Sequence, residues 1–367
     1  MTRTAIVTGA AGQDGYYLVQ RLVGEGIEVH AVVRKEGRVG ELRALRGPGS
    51  LVVHGLDIND SSGCTHLVER VRPDELYNLA GLSSVSLSFR DPMGTWRSNA
   101  DSVQILLEAV RVLSPETRFY QSSSTEMFGA RPGDSVTHNE DSPLNPQSPY
   151  AASKAAAHLA CDAYRRAYGL RVAAGILSNH ESRRRAPSFL TRRVVDHVRG
   201  LRSVNAARLR EAPPLALGNL AAERDWGFAP DYVDGIVRVI RQIEFRASTL
   251  DHPSEADVGS NYRDYVLGSG RLHAVWQLVD RAFALAGYPL EWDRSNPDPA
   301  SWIATFQSTG SLAVVVDPTL IRPTDPAAIR ADPTRATREL GWLPQPGLDR
   351  FLADMLEAGD TDLARQA

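Results

Sequence analysis

The sequence predicts an α/β fold, a doubly wound parallel sheet with a smaller C-terminal α/β lobe. Three observations lead there. The first half of the 367 residues alternates short β-rich runs with helical stretches, the pattern of parallel strands joined by crossover helices. A glycine-rich turn directly follows the first β-rich run and opens a helix. The second half changes character, with segments 181–230 and 290–335 rich in Arg, Pro and turn residues.

Residues 4–8 read as a buried strand and 15–24 as the helix behind the turn. Strands follow at 28–34, 51–54, 75–80 and 118–122, each a short apolar run of strand length. Before the last of these, 99–113 predicts a long helix, with Val103, Leu106, Leu107 and Val110 at helical spacing. Residues 171–177 give another strand. Helical periodicity returns at 231–242 and 272–286, and the stretches around them suit the loops and short helices of a substrate-binding lobe. The expected division is 1–178 for the sheet domain and 179–367 for the lobe, with 231–270 returning to the sheet. The polar tail after Met355 is expected to fray.

Composition bounds the function. Apolar residues are 43% and charged residues 23% of the chain, ordinary for a globular protein. A net charge of -3 offers no global field for nucleic acid or an acidic membrane. Cys64 and Cys161 stand far apart and outside any CxxC, so they suggest neither a disulfide framework nor a metal site. The first strand begins too close to Met1 to leave room for a signal peptide. No apolar run approaches the roughly 18–20 residues of a membrane helix. The cytoplasm is the expected location.

The turn after the first strand carries Gly9, Gly12, Gln13, Asp14 and Gly15, spaced GxxGxxG. Such glycines let backbone approach a pyrophosphate at a helix N-terminus, although three glycines also occur in ordinary turns. The end of strand two has Arg34 and Lys35, with Arg38 nearby, where enzymes that use NAD place an acid. Cations there suit a 2′-phosphate, hence NADP, against the alternative of a solvated basic loop. Asp57 is a candidate for the adenine edge, and Leu79 and Ala80 for the pocket wall. Together these features make the sheet a Rossmann-type doubly wound one.

Tyr150 and Lys154 stand at i and i+4 of a helix that Ser148 would cap, Pro149 would start and Gly169 would end. An ammonium beside a phenol lowers its pKa and makes it a usable base. Ser124, at the end of strand five, can hydrogen-bond the oxygen that Tyr150 deprotonates. Glu126 supplies a carboxylate that elimination of water needs and simple oxidation or epimerisation does not. A helix-start glutamate facing solvent is the plainer reading of that residue.

TGAAGQDGYYL, DELYNLAG, FYQSSSTEMFG, SPYAASK, GILSNHESRRR, LGNLAAERDWGFAPDYV and VVVDPTLIRP occur in that order. This series, over residues 8–344, resembles the GDP-mannose 4,6-dehydratase family. The resemblance implies a Rossmann domain binding NADP and a C-terminal lobe binding a GDP-sugar. It puts Ser124, Glu126, Tyr150 and Lys154 on catalytic positions, with Ser124 where the family usually has Thr. It adds His180 and Arg185 to the cofactor side. Ser83, Ser84, Asn179, Arg192, Asn219 and Arg224 fall on the substrate side, with Arg322 and Asp325 as the nucleotide-holding pair, its acid one methylene short. It further implies a homodimer or homotetramer.

The chain departs from the family at Gly81-Leu82-Ser83-Ser84-Val85, where a Gln and a His beside the sugar are replaced. Arg34-Lys35-Glu36-Gly37 replaces a serine-rich stretch that helps join subunits. Segments 200–216 and 243–262 are atypical too. The implied reaction converts GDP-mannose to a 4-keto-6-deoxy sugar nucleotide. Two other readings are a GDP-sugar epimerase acting on a hexose or heptose, and a non-catalytic dinucleotide sensor or scaffold on the same fold.

Overall fold

Each apolar run of the first half becomes a strand, and each connection a helix. The computed structural model describes residues 2–34, 39–129, 137–202, 208–246, 261–321, 324, 327–345 and 347–357. β1 (Thr4–Thr8), β2 (Glu28–Val33), β3 (Leu51–Gly55) and β4 (Glu75–Asn78) alternate with α1 (Gln13–Gly24), α2 (Val39–Arg43) and α3 (Ser61–Val71). Then come α4 (Val85–Arg90), α5 (Pro92–Trp96), a π-helical turn (Arg97–Asp101), α6 (Ser102–Leu113) and β5 (Arg118–Ser124). The short β6 (Thr137–His138) precedes α7 (Pro149–Tyr168) and β7 (Val172–Leu177).

The second half has β8 (Asn179–Glu181), α8 (Leu190–Leu201), β9 (Leu215–Leu217), β10 (Glu223–Phe228), α9 (Ala229–Ile240) and α10 (Gln242–Arg246). It continues with β11 (Tyr265–Leu267), β12 (Leu272–Ala274), α11 (Val275–Leu285), β13 (Leu290–Asp293), β14 (Ile303–Phe306) and β15 (Leu312–Val316). β16 (Ala328–Ala331), α12 (Thr334–Leu340) and α13 (Asp349–Glu357) complete it.

Among the described residues the main sheet has seven strands in the order β11-β7-β5-β4-β1-β2-β3. Every pairing in it is parallel, so both faces are covered by helices, as crossover geometry requires. One face buries Val7, Val29 and Tyr77 with Leu18, Leu22, Val233 and Ile236 of α1 and α9. The other buries Ile6, Leu76 and Phe119 with Leu67, Leu107 and Val110 of α3 and α6. A separate core of α8, α11 and α13 lies against β9, β14 and β15.

Three expectations change. The helix expected at 272–286 begins at Val275, because Leu272–Ala274 pairs antiparallel with β10. The buried stripe Val275, Leu278, Val279, Ala282 and Phe283 has helical spacing only from there on. The helix expected from 99 starts instead as a π-helical turn. Segment 181–230, expected as loops and short helices, holds a twelve-residue helix, α8, and a buried strand, β10. The polarity of β10 hides it. Asp225 is buried but accepts from the N–H groups of Ser269 at 2.8 Å and Gly270 at 2.9 Å and from the Ser269 hydroxyl at 2.6 Å, which satisfies the carboxylate. Fraying is expected after Met355, but α13 continues through buried Leu356 to Glu357, and residues 358–367 lie outside the described residues. No described helix is long and apolar enough to cross a membrane.

Candidate active site

The carboxyl ends of β1, β4, β5 and β7 meet α1 and α7 at one edge of the sheet, the place where open α/β sheets bind ligands. Gly9 has φ +66°, and a Cβ there would lie 2.8 Å from Ala80 N. A Cβ on Gly15 would lie 2.2 Å from Gly9 O. The loop is therefore drawn tight against the end of β4, with Ala80 N donating to Thr8 Oγ1 at 3.2 Å. Gly12 is the N-cap of α1 and has no side chain to cap it. The exposed helix terminus fits the pyrophosphate of a dinucleotide.

Gln13 and Asp14 bind protein as well as facing this loop. Gln13 Nε2 donates to His180 O at 2.9 Å, and Asp14 Oδ2 lies 2.9 Å from His180 Nε2. Arg185 sits 3.0 Å from Glu181 and stacks on the Phe189 ring at 3.6 Å. Arg34 is exposed at the end of β2, and half-buried Leu79 follows β4. The exposed Asp57 accepts from Asn59 N at 3.0 Å. Lys35 and Arg38 lie outside the described residues.

α7 is set by its ends. Ser148 Oγ accepts from Ala151 N at 3.1 Å, Pro149 occupies the first turn, and Gly169 closes the helix at φ +66°. Tyr150 and Lys154 are both buried. The Ser124 hydroxyl, at the end of β5, hydrogen-bonds the Tyr150 phenol and also accepts from Glu126 N at 3.3 Å. Glu126 is half-buried in the short 3₁₀ turn that follows.

The ammonium-lowered phenol expected from the i, i+4 spacing is not what the geometry gives. Burial pushes Tyr150 up to about 12, against the lowering pull of the Ser124 hydroxyl, and the Glu126 charge adds to the rise. Lys154 Nζ turns to Ser122 O, 2.9 Å away. Burial brings Lys154 down to about 8, opposed by the Asp14 charge.

The residues assigned to substrate divide. Asn179 stands in β8, in register with Trp226 of β10. Arg224 of β10 is buried and donates to Glu223 O at 2.8 Å. Asn219 Oδ1 accepts from Ala221 N at 3.0 Å. Ser83 is exposed, while Ser84 caps α4 by accepting from Leu87 N at 3.2 Å. Arg192 is 2% exposed, with Nε on Asp196 at 2.7 Å and one terminal nitrogen, Nη1, on the carbonyls of Arg183 and Arg185 at 3.2 and 3.3 Å. It holds the 183–185 turn together. Arg322 and Asp325 lie outside the described residues.

Sequence reasoning missed Asn99. In the π-helical turn, Asn99 Oδ1 accepts from Leu82 N at 2.8 Å, and its Nδ2 donates to Leu82 O and Ser153 Oγ, both at 3.0 Å. It thereby fastens the altered 81–85 segment to α7, between Tyr150 and Lys154. The polar run from Arg97 to Ser102 gives no sequence signal for this role; a π-bulge often marks a functional site, but it is seen only in the fold. A second missed feature is the buried chain Thr8 Oγ1 to Asn78 Oδ1 (2.6 Å), Asn78 Nδ2 to Gln121 Oε1 (2.8 Å) and Gln121 Nε2 to Ser122 O (3.0 Å).

Comparison with known proteins agrees with this architecture. The UDP-glucose 4-epimerase of Thermotoga maritima, solved with UDP-glucose, superposes with a TM-score of 0.74 at 20% identity over 98% of this chain and 99% of that one. The dTDP-glucose 4,6-dehydratase of Bacillus anthracis, solved with NAD, gives 0.71 at 19% identity over 97% and 96%. These likenesses establish the fold. In sequence, GDP-mannose 4,6-dehydratase of Vibrio cholerae serotype O1 is 33% identical over 99% of this chain and 95% of its own length. The human enzyme of that name is 32% identical over 98% and 92%. The family described as GDP-mannose 4,6 dehydratase matches residues 6–355. On that near-complete match, the chain belongs to the GDP-mannose 4,6-dehydratase family.

Proposed function

We propose that this protein is an NADP-dependent GDP-mannose 4,6-dehydratase. The observation that carries the reading is the convergence of Ser124, Tyr150 and Lys154 at one sheet edge with a half-buried carboxylate, Glu126. Arg34 at the end of β2 supports NADP over NAD, as a cation suited to a 2′-phosphate. Gly9, Gly12 and Gly15 would hold the dinucleotide at the start of α1. When bound, its nicotinamide supplies the acceptor and donor of one hydride.

Burial raises Tyr150 to about 12, and the positive charge of a bound nicotinamide would offset that rise. Its phenolate then takes the O4 proton of the sugar, with Ser124 hydrogen-bonded to the same oxygen, as C4 is oxidised. The C4 ketone acidifies C5–H. Glu126 removes that proton and passes it to the leaving C6 hydroxyl, which departs as water. The hydride returns at C6 and a proton at C5, so the dinucleotide ends unchanged. The exposed Met93, Trp96 and Leu159 on neighbouring α5 and α7 support pairing with a second copy, which sedimentation would test.

The deciding experiment incubates the protein with NADP and GDP-mannose in deuterated water and follows product mass. Loss of one water with deuterium incorporated is expected. An isobaric product would make the chain an epimerase. Inertness to GDP-mannose with turnover of another GDP-sugar would keep the chemistry and move the substrate.

A further inference from the structure

The dinucleotide loop and β8 are joined by contacts of two kinds. Gln13 makes neutral ones, donating to His180 O at 2.9 Å and accepting from Ser182 Oγ at 2.9 Å. Asp14 and His180 make an ionic one, with Oδ2 and Nε2 2.9 Å apart. The other ring nitrogen, His180 Nδ1, is 2.7 Å from Ser178 O, an acceptor only. Nδ1 must therefore carry a proton. Nε2 can donate to Asp14 only when the imidazole carries both protons. The ring is 8% exposed and stacks on Tyr232 at 4.5 Å, so it has no freedom to turn away.

We propose that Asp14 and His180 are positioning residues that form a proton-dependent latch between the dinucleotide helix and the substrate strand. With His180 charged, the pair ties β8, and Asn179 with it, to the first turn of α1 and neutralises the carboxylate there. With His180 neutral, Asp14 keeps the hydrogen bond from Gln13 Nε2 at 3.3 Å and the Arg185 charge but loses its ion-pair partner, and its negative charge bears on the turn that would take the pyrophosphate. The proposal rests on the dinucleotide reading above.

The surrounding charges are Arg185 and Glu181 on the same segment as His180, and Tyr150 and Lys154, which feel Asp14 from α7. Tyr232 faces the ring from α9. Burial alone would lower His180, but the Asp14 charge and hydrogen bond outweigh it and hold the imidazole above its usual value. Burial would likewise raise Asp14, and the His180 charge overrides it. A bound anion favours the imidazolium, so linkage requires dinucleotide affinity to fall as pH rises through the His180 pKa.

The test is calorimetric titration of the full chain with NADP from about pH 7 to about pH 9, above the titration of its 2′-phosphate, and with NAD, whose phosphates do not titrate near neutrality, from about pH 6 to about pH 9. In the wild type Kd should weaken by about three- to tenfold across that range. Asp14→Asn should bind throughout as tightly as the acidic wild type. His180→Gln should bind throughout as weakly as the alkaline wild type. A purely structural clasp would weaken both variants together, and that result would overturn the latch. So would a wild type indifferent to pH. A His180→Gln variant that keeps the wild-type slope would assign the effect to Lys154 and likewise overturn it. Melting curves check folding. If one variant fails to fold, the other is read with an NMR titration of the His180 ring, whose midpoint must drop in Asp14→Asn or, with His180→Gln alone, exceed about 6.5 in the wild type. Absence of NAD and NADP binding at every pH would sink the dinucleotide reading itself, an outcome distinct from binding that ignores pH.

Discussion

Lys154 Nζ donates to Ser122 O at 2.9 Å, and the same carbonyl accepts from Gln121 Nε2 at 3.0 Å. The ammonium is thus the last member of a hydrogen-bonded chain that starts at Thr8 and crosses β4 and β5 through Asn78 and Gln121. The chain fixes Lys154 by strand geometry rather than by the phenol one helical turn away. The glycine loop and the catalytic helix are consequently set by the same buried row.

Lys154→Met should make the protein more stable and inactive. Burial brings Lys154 to about 8 from 10.5. Between those values the unfolded chain binds more protons than the native one, so stability rises with pH through the window and the full cost is felt below it. Met carries no such cost. After loss of the Ser122 hydrogen bond, a net gain of about 1–2 kcal/mol is expected at pH 7, shrinking toward the top of the window. Urea midpoints at several pH values check this. Destabilisation at neutral pH would show that the carbonyl bond outweighs desolvation.

Glu126→Gln should separate oxidation from elimination. The amide keeps the shape of the side chain and cannot accept the C5 proton. Turnover should fall by about 10²–10⁴, while nucleotide-sugar affinity holds and a single turnover still reduces the dinucleotide. Normal formation of dehydrated product would remove Glu126 from the mechanism.

Arg192→Leu should act on stability and leave the nucleotide contact alone. The residue is 2% exposed, and its guanidinium is bound to Asp196 and to two carbonyls of the 183–185 turn. Removing it leaves those groups without their donor, a cost of about 2–4 kcal/mol. Arg192→Lys should fall between, because an ammonium cannot reproduce the fork. GDP affinity of the folded variants should match the wild type. A selective loss of GDP binding with an unchanged melting curve would make Arg192 a substrate contact instead.

What could be read from the sequence was local. Ser148, Pro149 and Gly169 bracket α7 in their own peptide neighbourhood, and Gly9 to Gly15 announce the helix that they start. What could not be read depends on distant partners. Glu223, Arg224 and Asp225 look like a loop until Ser269 and Gly270 are brought to Asp225. The contacts of Arg192 with the 183–185 carbonyls could not be read from the sequence either. The lowered phenol inferred from the Tyr150 and Lys154 spacing failed because burial, a tertiary quantity, sets both groups.

Gly81 and Asn99 should prove energetically coupled. Gly81 has φ +151°, and a Cβ there would lie 2.5 Å from Asn99 Oδ1, the atom that accepts from Leu82 N. Gly81→Ala must therefore move Asn99 or the segment carrying Ser83 and Ser84, at about 1–3 kcal/mol including the backbone strain. Asn99→Ala leaves both backbone groups of Leu82 without their side-chain partner, a similar loss. In the double variant the alanine at 81 meets no amide oxygen, so the combined cost should fall short of the sum by about 0.5–2 kcal/mol. Urea denaturation of the four proteins measures this directly. If the displaced segment adjoins the sugar, as the resemblance implies, both single variants should also raise KM for the nucleotide sugar more than they lower kcat. Strict additivity in stability would mean that the 81–85 segment relaxes without Asn99, and that this residue does not hold it.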